Sequence, residues 1–134
     1  MLNIGIKTDY GFIFLVYLAT HKGNDFISLK EIAKKRNLSA NYLAQLAVSL
    51  KNAGIIESRE GKSGGYRFAK KLKDVSLAEI IKACEGQIAT TPCIRKKGIC
   101  KNKGKCLASD VWAQMQEDFE KYAKKKNLKQ LLKI

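Results

Sequence analysis

Three cysteines lie close together in the second half of the chain, at Cys93, Cys100 and Cys106, in the pattern Cys-x6-Cys-x5-Cys. Thiolates are soft ligands that select zinc, copper(I) or iron–sulfur clusters. Structural zinc sites usually use Cys-x2-Cys pairs, which this pattern lacks, and the wider spacings leave room for a larger cofactor. A reduced, unligated set of peroxide-reactive thiols is the alternative interpretation. The clustering of three thiols within fourteen residues favours the ligand hypothesis, and the charge of the nearby lysines would stabilise bound thiolates.

A site built on three cysteines needs a fourth ligand from another part of the chain. Cys84 lies nine residues before Cys93, at an inward position of a predicted helix. A free cysteine in that setting is typically a small apolar core residue. His21 is the only histidine and falls in a predicted turn after the first helix, which is typical of a surface side chain. We therefore assign neither residue as a ligand.

The first half of the chain predicts three helices. Thr8 opens a strongly apolar stretch that continues to about Thr20, and we expect it to cap a helix central to the core. Ser28 and Glu31 then form a capping box for a short second helix. After a tight turn, Ser39 caps a third helix. Two short helices joined in this way are typical of a helix-turn-helix.

A β-hairpin is predicted directly after the third helix. Gly54 ends the helix, and the segments 55–59 and 66–69 read as two strands joined by a Gly-rich turn. A hairpin in this position is a wing. Its charges at Arg59, Lys62 and Arg67 favour contact with a DNA backbone, although a hairpin that only covers the core is the alternative.

The second half predicts a fourth helix over 75–86, a loop over 87–107, a long helix over about 108–126 and a short terminal helix over 128–132. We call residues 87–107 the cysteine segment. A loop of that length inside a compact domain is uncommon unless it is functional. The predicted organisation is a DNA-binding domain over 1–86, the cysteine segment as a cluster loop, and a dimerisation helix with its tail over 108–134, all in one compact unit.

Large apolar residues recur at helical spacing along the long helix, at Val111, Trp112, Met115, Phe119 and Tyr122. This stripe exceeds what a small winged core can cover, so we interpret it as a dimer interface. Packing on the parent domain is the alternative. The predicted fold class is mainly α with a small β-hairpin wing: a winged helix-turn-helix plus a long C-terminal dimerisation helix.

The charge of the chain favours a nucleic-acid partner, and the sequence patterns argue against a membrane protein and an enzyme. Lys and Arg number 26 against 12 Asp and Glu, a net charge of +14 over 134 residues, which favours a nucleic-acid partner over a merely basic surface. The sequence lacks an apolar run of the ~18 residues needed to span a bilayer and a signal-peptide pattern, so we expect a cytoplasmic protein with no membrane partner. It also lacks a His-based acid/base pair, a nucleophile elbow and a phosphate loop, so we do not expect an enzyme.

Taken in order, these motifs resemble the IscR/NsrR-type winged-helix transcription regulators, the family that also includes CymR. The resemblance covers essentially the whole chain. The residues that carry it are Lys7-Thr8-Asp9-Tyr10, Ile32-Ala33, the third-helix run from Leu38 to Leu46, the run from Leu50 to Ile56, the wing from Gly61 to Tyr66, the three cysteines, and Val111-Trp112.

The resemblance implies a homodimer whose third helices enter adjacent major grooves of a palindromic DNA operator. Gln45 can read an adenine edge, whereas Ser39 and Tyr42 are suited to phosphates. The DNA-binding residues we assign are Ser28, Ser39, Asn41, Tyr42, Gln45, Arg59, Lys62 and Ser63.

The resemblance also implies an iron–sulfur cluster, 2Fe–2S or 4Fe–4S, on Cys93, Cys100 and Cys106. Relatives that bind 2Fe–2S through Cys and His have a histidine three residues after the last cysteine, where this chain has Ser109. In nitric-oxide-sensing relatives an aspartate near the start of the first helix is the fourth ligand and reaches across the dimer. Asp9 matches that residue, although it also suits the positive end of a helix dipole.

The wing departs from the family pattern as well. Many members carry Arg-Gly before the Gly-Gly-Tyr of the wing, whereas this chain has Glu60-Gly61 with Arg59 one place earlier. This difference argues against insertion of the wing into the minor groove. The sequence therefore predicts a dimeric transcription regulator controlled by an iron–sulfur cluster that senses cluster status, redox state or nitric oxide. The alternative is a zinc-stabilised or cofactor-free basic nucleic-acid-binding protein without a switch.

Overall fold

A computed structural model describes residues 2–23, 25–95, 100–102 and 104–134. The described residues form helices with one two-stranded antiparallel hairpin, which confirms the predicted fold class. No described helix is long and apolar enough to cross a membrane. The elements are α1 (Ile6–Thr20), α2 (Leu29–Arg36), α3 (Ala40–Asn52), β1 (Ile56–Arg59), β2 (Gly65–Phe68), a 3-10 turn (Leu72–Asp74), α4 (Leu77–Glu85), α5 (Pro92–Arg95), α6 (Ser109–Lys125) and α7 (Leu128–Leu132).

Helix α1 lies at the centre of the main core, as its apolar residues predict. Phe14 and Leu15 are completely buried, and α1 packs against α3, α4 and β2. Gly11 allows the close approach to α4, because a Cβ at this position would lie 2.5 Å from the sulfur of Cys84. The predicted inward position of Cys84 is thus confirmed.

The predicted cap of α1 is wrong. The helix begins at Ile6, so Thr8 lies inside its first turn and is buried. Its backbone N–H and its hydroxyl both donate to the Glu85 carboxylate at the end of α4, at 3.2 and 3.0 Å. An acidic group at a helix N-terminus satisfies free N–H groups and suits the dipole. The capping group therefore comes from a distant helix rather than from the local sequence.

The helix-turn-helix forms as predicted. Ser28 and Ser39 cap α2 and α3, and their hydroxyls accept from Glu31 N–H and Tyr42 N–H. Half of the predicted capping box is absent, because the Glu31 carboxylate accepts from the Tyr17 hydroxyl at 2.9 Å instead. Inward leucines of α3, including Leu43 and Leu50, are completely buried. The fold thereby leaves the opposite face of α3 open.

The wing is held against the start of α2. Strands β1 and β2 pair from Ile56 with Phe68 to Arg59 with Gly65, and Ile27 forms a further bridge to Tyr66. Gly65 has φ +144°, and a side chain here would collide with the carbonyl of Ile27. The glycine that lets the turn form also lets the wing lie on the domain.

The C-terminal elements close the domain from the other side. Ser76 and Glu79 form a full capping box on α4. The chain that follows α6 is hydrogen-bonded to the start of α4. Leu77 N–H donates to the Lys126 carbonyl and Leu128 N–H donates to the Val75 carbonyl, both at 2.8 Å. Leu128 is completely buried, so the predicted terminal helix, α7, packs into the main core. A second apolar cluster of Ala78, Ile81, Ile88 and Ala123 joins α4 to α6.

Candidate DNA interface and cysteine segment

The exposed face of α3 carries side chains that can read a base edge. Asn41 and Gln45 are exposed four residues apart, and Val48 continues the same face with 58% of its surface exposed. An amide side chain can bond to an adenine edge, and an apolar one can contact a thymine methyl group. The face opposite the buried leucines therefore has the composition of a major-groove reader.

Tyr42 lies at the border between this face and the core. Its half-buried ring meets the ring of Tyr10 from α1 edge to face, with centroids 5.3 Å apart. Partial burial raises the pKa of the Tyr42 hydroxyl, and the Glu85 carboxylate adds to the shift. The hydroxyl is thus a neutral donor at physiological pH, as a phosphate contact requires. The ring links α3 to the first turns of α1.

The two capping serines are also exposed. Each hydroxyl accepts a backbone N–H, and its own hydrogen remains able to donate. Ser28 and Ser39 can therefore cap their helices and still meet a phosphate oxygen.

In the wing, the arginines have structural partners and the tip remains exposed. The Arg59 guanidinium donates to the Ser63 carbonyl at 2.7 Å and lies 4.3 Å from the centre of the Phe26 ring. Arg67 contacts the same ring at 4.4 Å and pairs with Glu57. These contacts fix the shape of the hairpin, whereas Lys62 and Ser63 are exposed at its turn.

The three cysteines of the cysteine segment form no disulfide and differ in exposure. Cys93 is exposed within α5, a short helix that the sequence did not predict, and Cys100 and Cys106 are half-buried. The Cys93 sulfur lies 3.1 Å from the Thr91 hydroxyl. The Cys106 carbonyl accepts from the N–H and the hydroxyl of Ser109, where α6 begins. Both outer cysteines therefore lie close to ordered backbone.

Within the described residues of one chain, no three Cys, His, Asp or Glu side chains come together in a metal-binding arrangement. Asp9, the candidate fourth ligand, is exposed in the first turn of α1. The donor chemistry fits a thiolate-bound metal or cluster, since the three thiols of the segment are free and carry no disulfide. A complete ligand set would require the three cysteines together and a fourth ligand from elsewhere.

Gln116 is a residue whose role the sequence did not indicate. It lies inside the apolar part of α6, where its helical spacing predicts a core position, yet it is polar and only 7% exposed. Its amide contacts the beginning of the cysteine segment at Ile88 and Thr90. The sequence signal that could have found it is a glutamine at a core position of the helix, between Met115 and Phe119, because a buried amide requires hydrogen-bond partners.

Known proteins share this arrangement over nearly the whole chain. A family model for Rrf2, described as an iron-dependent transcriptional regulator, matches residues 4–134. The chain belongs to the Rrf2 family. The match confirms the resemblance found in the sequence, and this Rrf2-family chain is a DNA-binding transcriptional regulator similar to IscR and CymR.

Two relatives illustrate the similarity in sequence. The transcriptional regulator IscR of Cereibacter sphaeroides is 30% identical over 115 residues, which cover 83% of this chain and 74% of that protein. Protein rrf2 of Nitratidesulfovibrio vulgaris is 29% identical over 113 residues, covering 84% and 75%. Relatives of this Rrf2-family chain are named as regulators, which confirms that its function is not enzymatic.

Solved structures of the same family have a similar fold. CymR of B. subtilis, described as the global cysteine regulator of that organism, superposes with a TM-score of 0.76 at 29% identity and covers 98% of this chain and 96% of its own. IscR of T. potens superposes with a TM-score of 0.74 at 31% identity, covering 98% and 87%. The winged-helix fold and the long α6 are therefore those of the Rrf2 family.

Proposed function

We propose that this chain is a homodimeric cytoplasmic regulator whose binding to a palindromic operator is controlled by an iron–sulfur cluster. Residues 1–86 form the DNA-binding domain, the cysteine segment binds the cluster, and residues 108–134 supply the dimer helix and tail. The observation that carries the proposal is a segment with three free thiols between two elements of an Rrf2-family fold, α4 and α6.

The DNA contacts proposed for each chain are the α3 face and the wing tip. Asn41 and Gln45 face outward for base edges, and Ser28, Ser39, Tyr42, Lys62 and Ser63 can meet phosphates. Arg59 adds its charge from the base of the wing turn. The net charge of +14 supports the salt-dependent part of binding, because each neutralised phosphate releases counterions.

The dimer is supported by an exposed apolar surface on α6. Before Met115, no side chain of α6 is buried, and Val111 and Trp112 are 59% and 38% exposed. Leu2 and Ile4 are exposed and line a cavity of about 490 Å³ that α6 also lines through Met115 and Phe119, and Ile6 is exposed as well. An apolar surface of this kind is typical of a protein interface. We infer that a second copy covers it.

The proposed ligands are Cys93, Cys100 and Cys106, with Asp9 of the other copy as the fourth. When bound, the cluster supplies a centre that reacts with oxidants and nitric oxide. The chain itself supplies the coupling: Asp9 lies one residue before Tyr10, and Tyr10 contacts Tyr42 of α3. A change in the position of Asp9 is therefore transmitted over two side chains to the DNA-reading helix.

Anaerobic purification tests the proposal directly. We expect brown protein with iron and inorganic sulfide, and we expect nitric oxide or cluster removal to change its affinity for a palindromic operator at fixed salt. Scrambled DNA is the control, since electrostatic binding depends on salt rather than on sequence. Colourless protein with stoichiometric zinc, handled without oxygen, would contradict the cluster.

The second candidate is a zinc-stabilised or cofactor-free DNA-binding protein. Its cofactor-free form is favoured by the absence of an assembled three-ligand group among the described residues of one chain, and by the similarity to CymR, which is described as a cysteine regulator. The cofactor-free form predicts that the three Cys→Ser variants bind operator DNA as the unmodified chain does, and the zinc-stabilised form predicts that they lose zinc and stability. The cluster proposal predicts that each of them loses iron and the response to nitric oxide.

A further inference from the structure

Gln116 is one of two polar residues buried in the described part of the chain, the other being Thr8. All of its hydrogen-bonding capacity is used. The Oε1 atom accepts from the N–H and the hydroxyl of Thr90, at 2.8 and 2.9 Å. The Nε2 atom donates to the Ile88 carbonyl at 2.6 Å and to the Glu120 carboxylate at 2.8 Å.

These bonds replace missing secondary structure. Residues 88–90 follow α4 without forming a helix or a strand, and Ile88 is buried. A buried backbone N–H or carbonyl without a partner costs about 1–3 kcal/mol. Gln116 supplies a partner to the carbonyl of buried Ile88 and to the N–H of half-buried Thr90, and it ties both groups to one position on α6. A leucine at this position would add to the neighbouring apolar cluster but would leave these backbone groups free to shift.

The segment that Gln116 fixes leads directly to Cys93. Thr91 follows Thr90 and directly precedes α5. Its carbonyl accepts from the N–H groups of Ile94 and Arg95 within α5, and its hydroxyl contacts the Cys93 sulfur. At the far end of the cysteine segment, Cys106 is bonded to Ser109, the first residue of the same helix. One rigid helix therefore holds the chain beside Cys93 and beside Cys106.

From this geometry we infer that Gln116 is a positioning residue that sets the separation of Cys93 and Cys106 for cluster binding. The inference rests on the proposed function, because the separation matters only if both sulfurs bind one group. Residues outside the ligand set that orient ligands typically change metal affinity 10–100-fold when they are replaced.

The first test uses the protein without metal. Spin labels are placed at Cys93 and Cys106 in a chain with Cys84→Ala and Cys100→Ser, diluted with unlabelled chain so that only pairs within one chain contribute. We expect a narrow distance distribution, which Gln116→Leu broadens. Gln114→Leu is the matched control, because Gln114 is exposed on the same helix and its amide binds Asp118. An unchanged distribution in Gln116→Leu overturns the inference.

The second test measures release of iron to a chelator under anaerobic conditions. We expect release from Gln116→Leu to be at least about tenfold faster than from Gln114→Leu. Equal rates overturn the inference. If the unmodified chain takes up no iron or sulfide, the proposed function fails, and the spin-label result still decides whether Gln116 holds the two cysteines.

A third variant keeps the inference testable if Gln116→Leu does not fold. Thr90→Val removes one of the two donors to Oε1 and leaves Gln116 in place. We expect it to broaden the distribution in the same direction, by less, and to have no further effect in a chain that already carries Gln116→Leu. Additive effects of the two substitutions would show that they act independently and would overturn the inference.

Discussion

Gly11 and Cys84 show how closely the two helices behind the recognition surface are fitted together. Replacing Gly11 by Ala gains up to about 1 kcal/mol of helix propensity. The new methyl group would meet the Cys84 sulfur at 2.5 Å, and overpacking in a core costs about 1–3 kcal/mol. We expect Gly11→Ala to lower the free energy of unfolding, measured by urea denaturation.

The same pair provides its own control. In a chain with Cys84→Ala, which removes the sulfur, Gly11→Ala should be neutral or stabilising. A loss of stability that is the same in both backgrounds would show that the clash is with another atom.

A pH prediction follows for the same thiol. Burial, aided by the nearby Glu85 charge, raises the pKa of Cys84 from 9.0 to about 11. The folded protein therefore retains this proton at pH values where the unfolded chain releases it, so the stability it contributes is present below pH 9 and is lost as the pH rises towards 11. We expect the unfolding free energy to fall more between pH 8 and pH 10.5 for the unmodified chain than for Cys84→Ala. Parallel curves would contradict the shift.

At the scale of elements, the wing depends on one aromatic ring. Phe26 lies before α2, and the guanidinium groups of Arg59 and Arg67 lie 4.3 and 4.4 Å from the centre of its ring. Such contacts are worth about 0.5–1 kcal/mol each at exposed sites. We expect Phe26→Leu to speed hydrogen exchange in residues 57–67 roughly fivefold with little change in α3. Phe26→Tyr keeps the aromatic face and should exchange as the unmodified chain does; equal acceleration in both variants would contradict this role.

The tail is a second element with a specific role. Leu128, the first residue of α7, is completely buried in the main core, and its N–H donates to the Val75 carbonyl ahead of α4. Leu128→Ala should cost about 2–5 kcal/mol of unfolding free energy, as for other large core side chains. Ile134→Ala is the control, because that side chain is 53% exposed and should change stability by less than about 0.5 kcal/mol.

Elements with local signals could be predicted from the sequence. Ser28, Ser39 and Ser76 each cap a helix within three residues of their partner, and the helix-turn-helix and the wing followed from such short-range patterns. What could not be predicted depends on contacts distant in sequence. The capping group of α1 is Glu85, and the partners of Gln116 in the cysteine segment lie 26 and 28 residues away.

The candidate site divides in the same way. The outward positions of Asn41 and Gln45 follow from the helical period of α3. The spatial relation of Cys93, Cys100 and Cys106 does not follow from any period, because the cysteine segment lacks one, and helix α5 within it spans only four residues. The roles of these cysteines and of Asp9 as ligands, and of the eight assigned DNA-binding residues, therefore remain predictions.

At the scale of the whole molecule, α6 has two unlike halves. From Gln116 onward it packs on α4, Ala123 is completely buried, and the tail that follows is anchored in the main core. Before Met115 the helix carries no buried side chain, and its apolar residues Val111 and Trp112 are exposed. A helix that is held firmly at one end and presents apolar side chains at the other is suited to pair with its symmetry mate.

The last prediction concerns Trp112 in that free half. Tryptophan is enriched among interface residues whose replacement costs 2 kcal/mol or more. We expect Trp112→Glu to weaken the dimer at least about 30-fold, measured by sedimentation equilibrium, while the circular dichroism of the chain stays unchanged. Affinity for a full palindrome should fall with it, whereas the weak affinity for a half-site should persist, because α3 and the wing belong to a single chain.

Ala113→Glu adds the same charge to an exposed position on the far side of the helix and should leave the dimer intact. If Trp112→Glu remained dimeric, the free half of α6 would not be the interface.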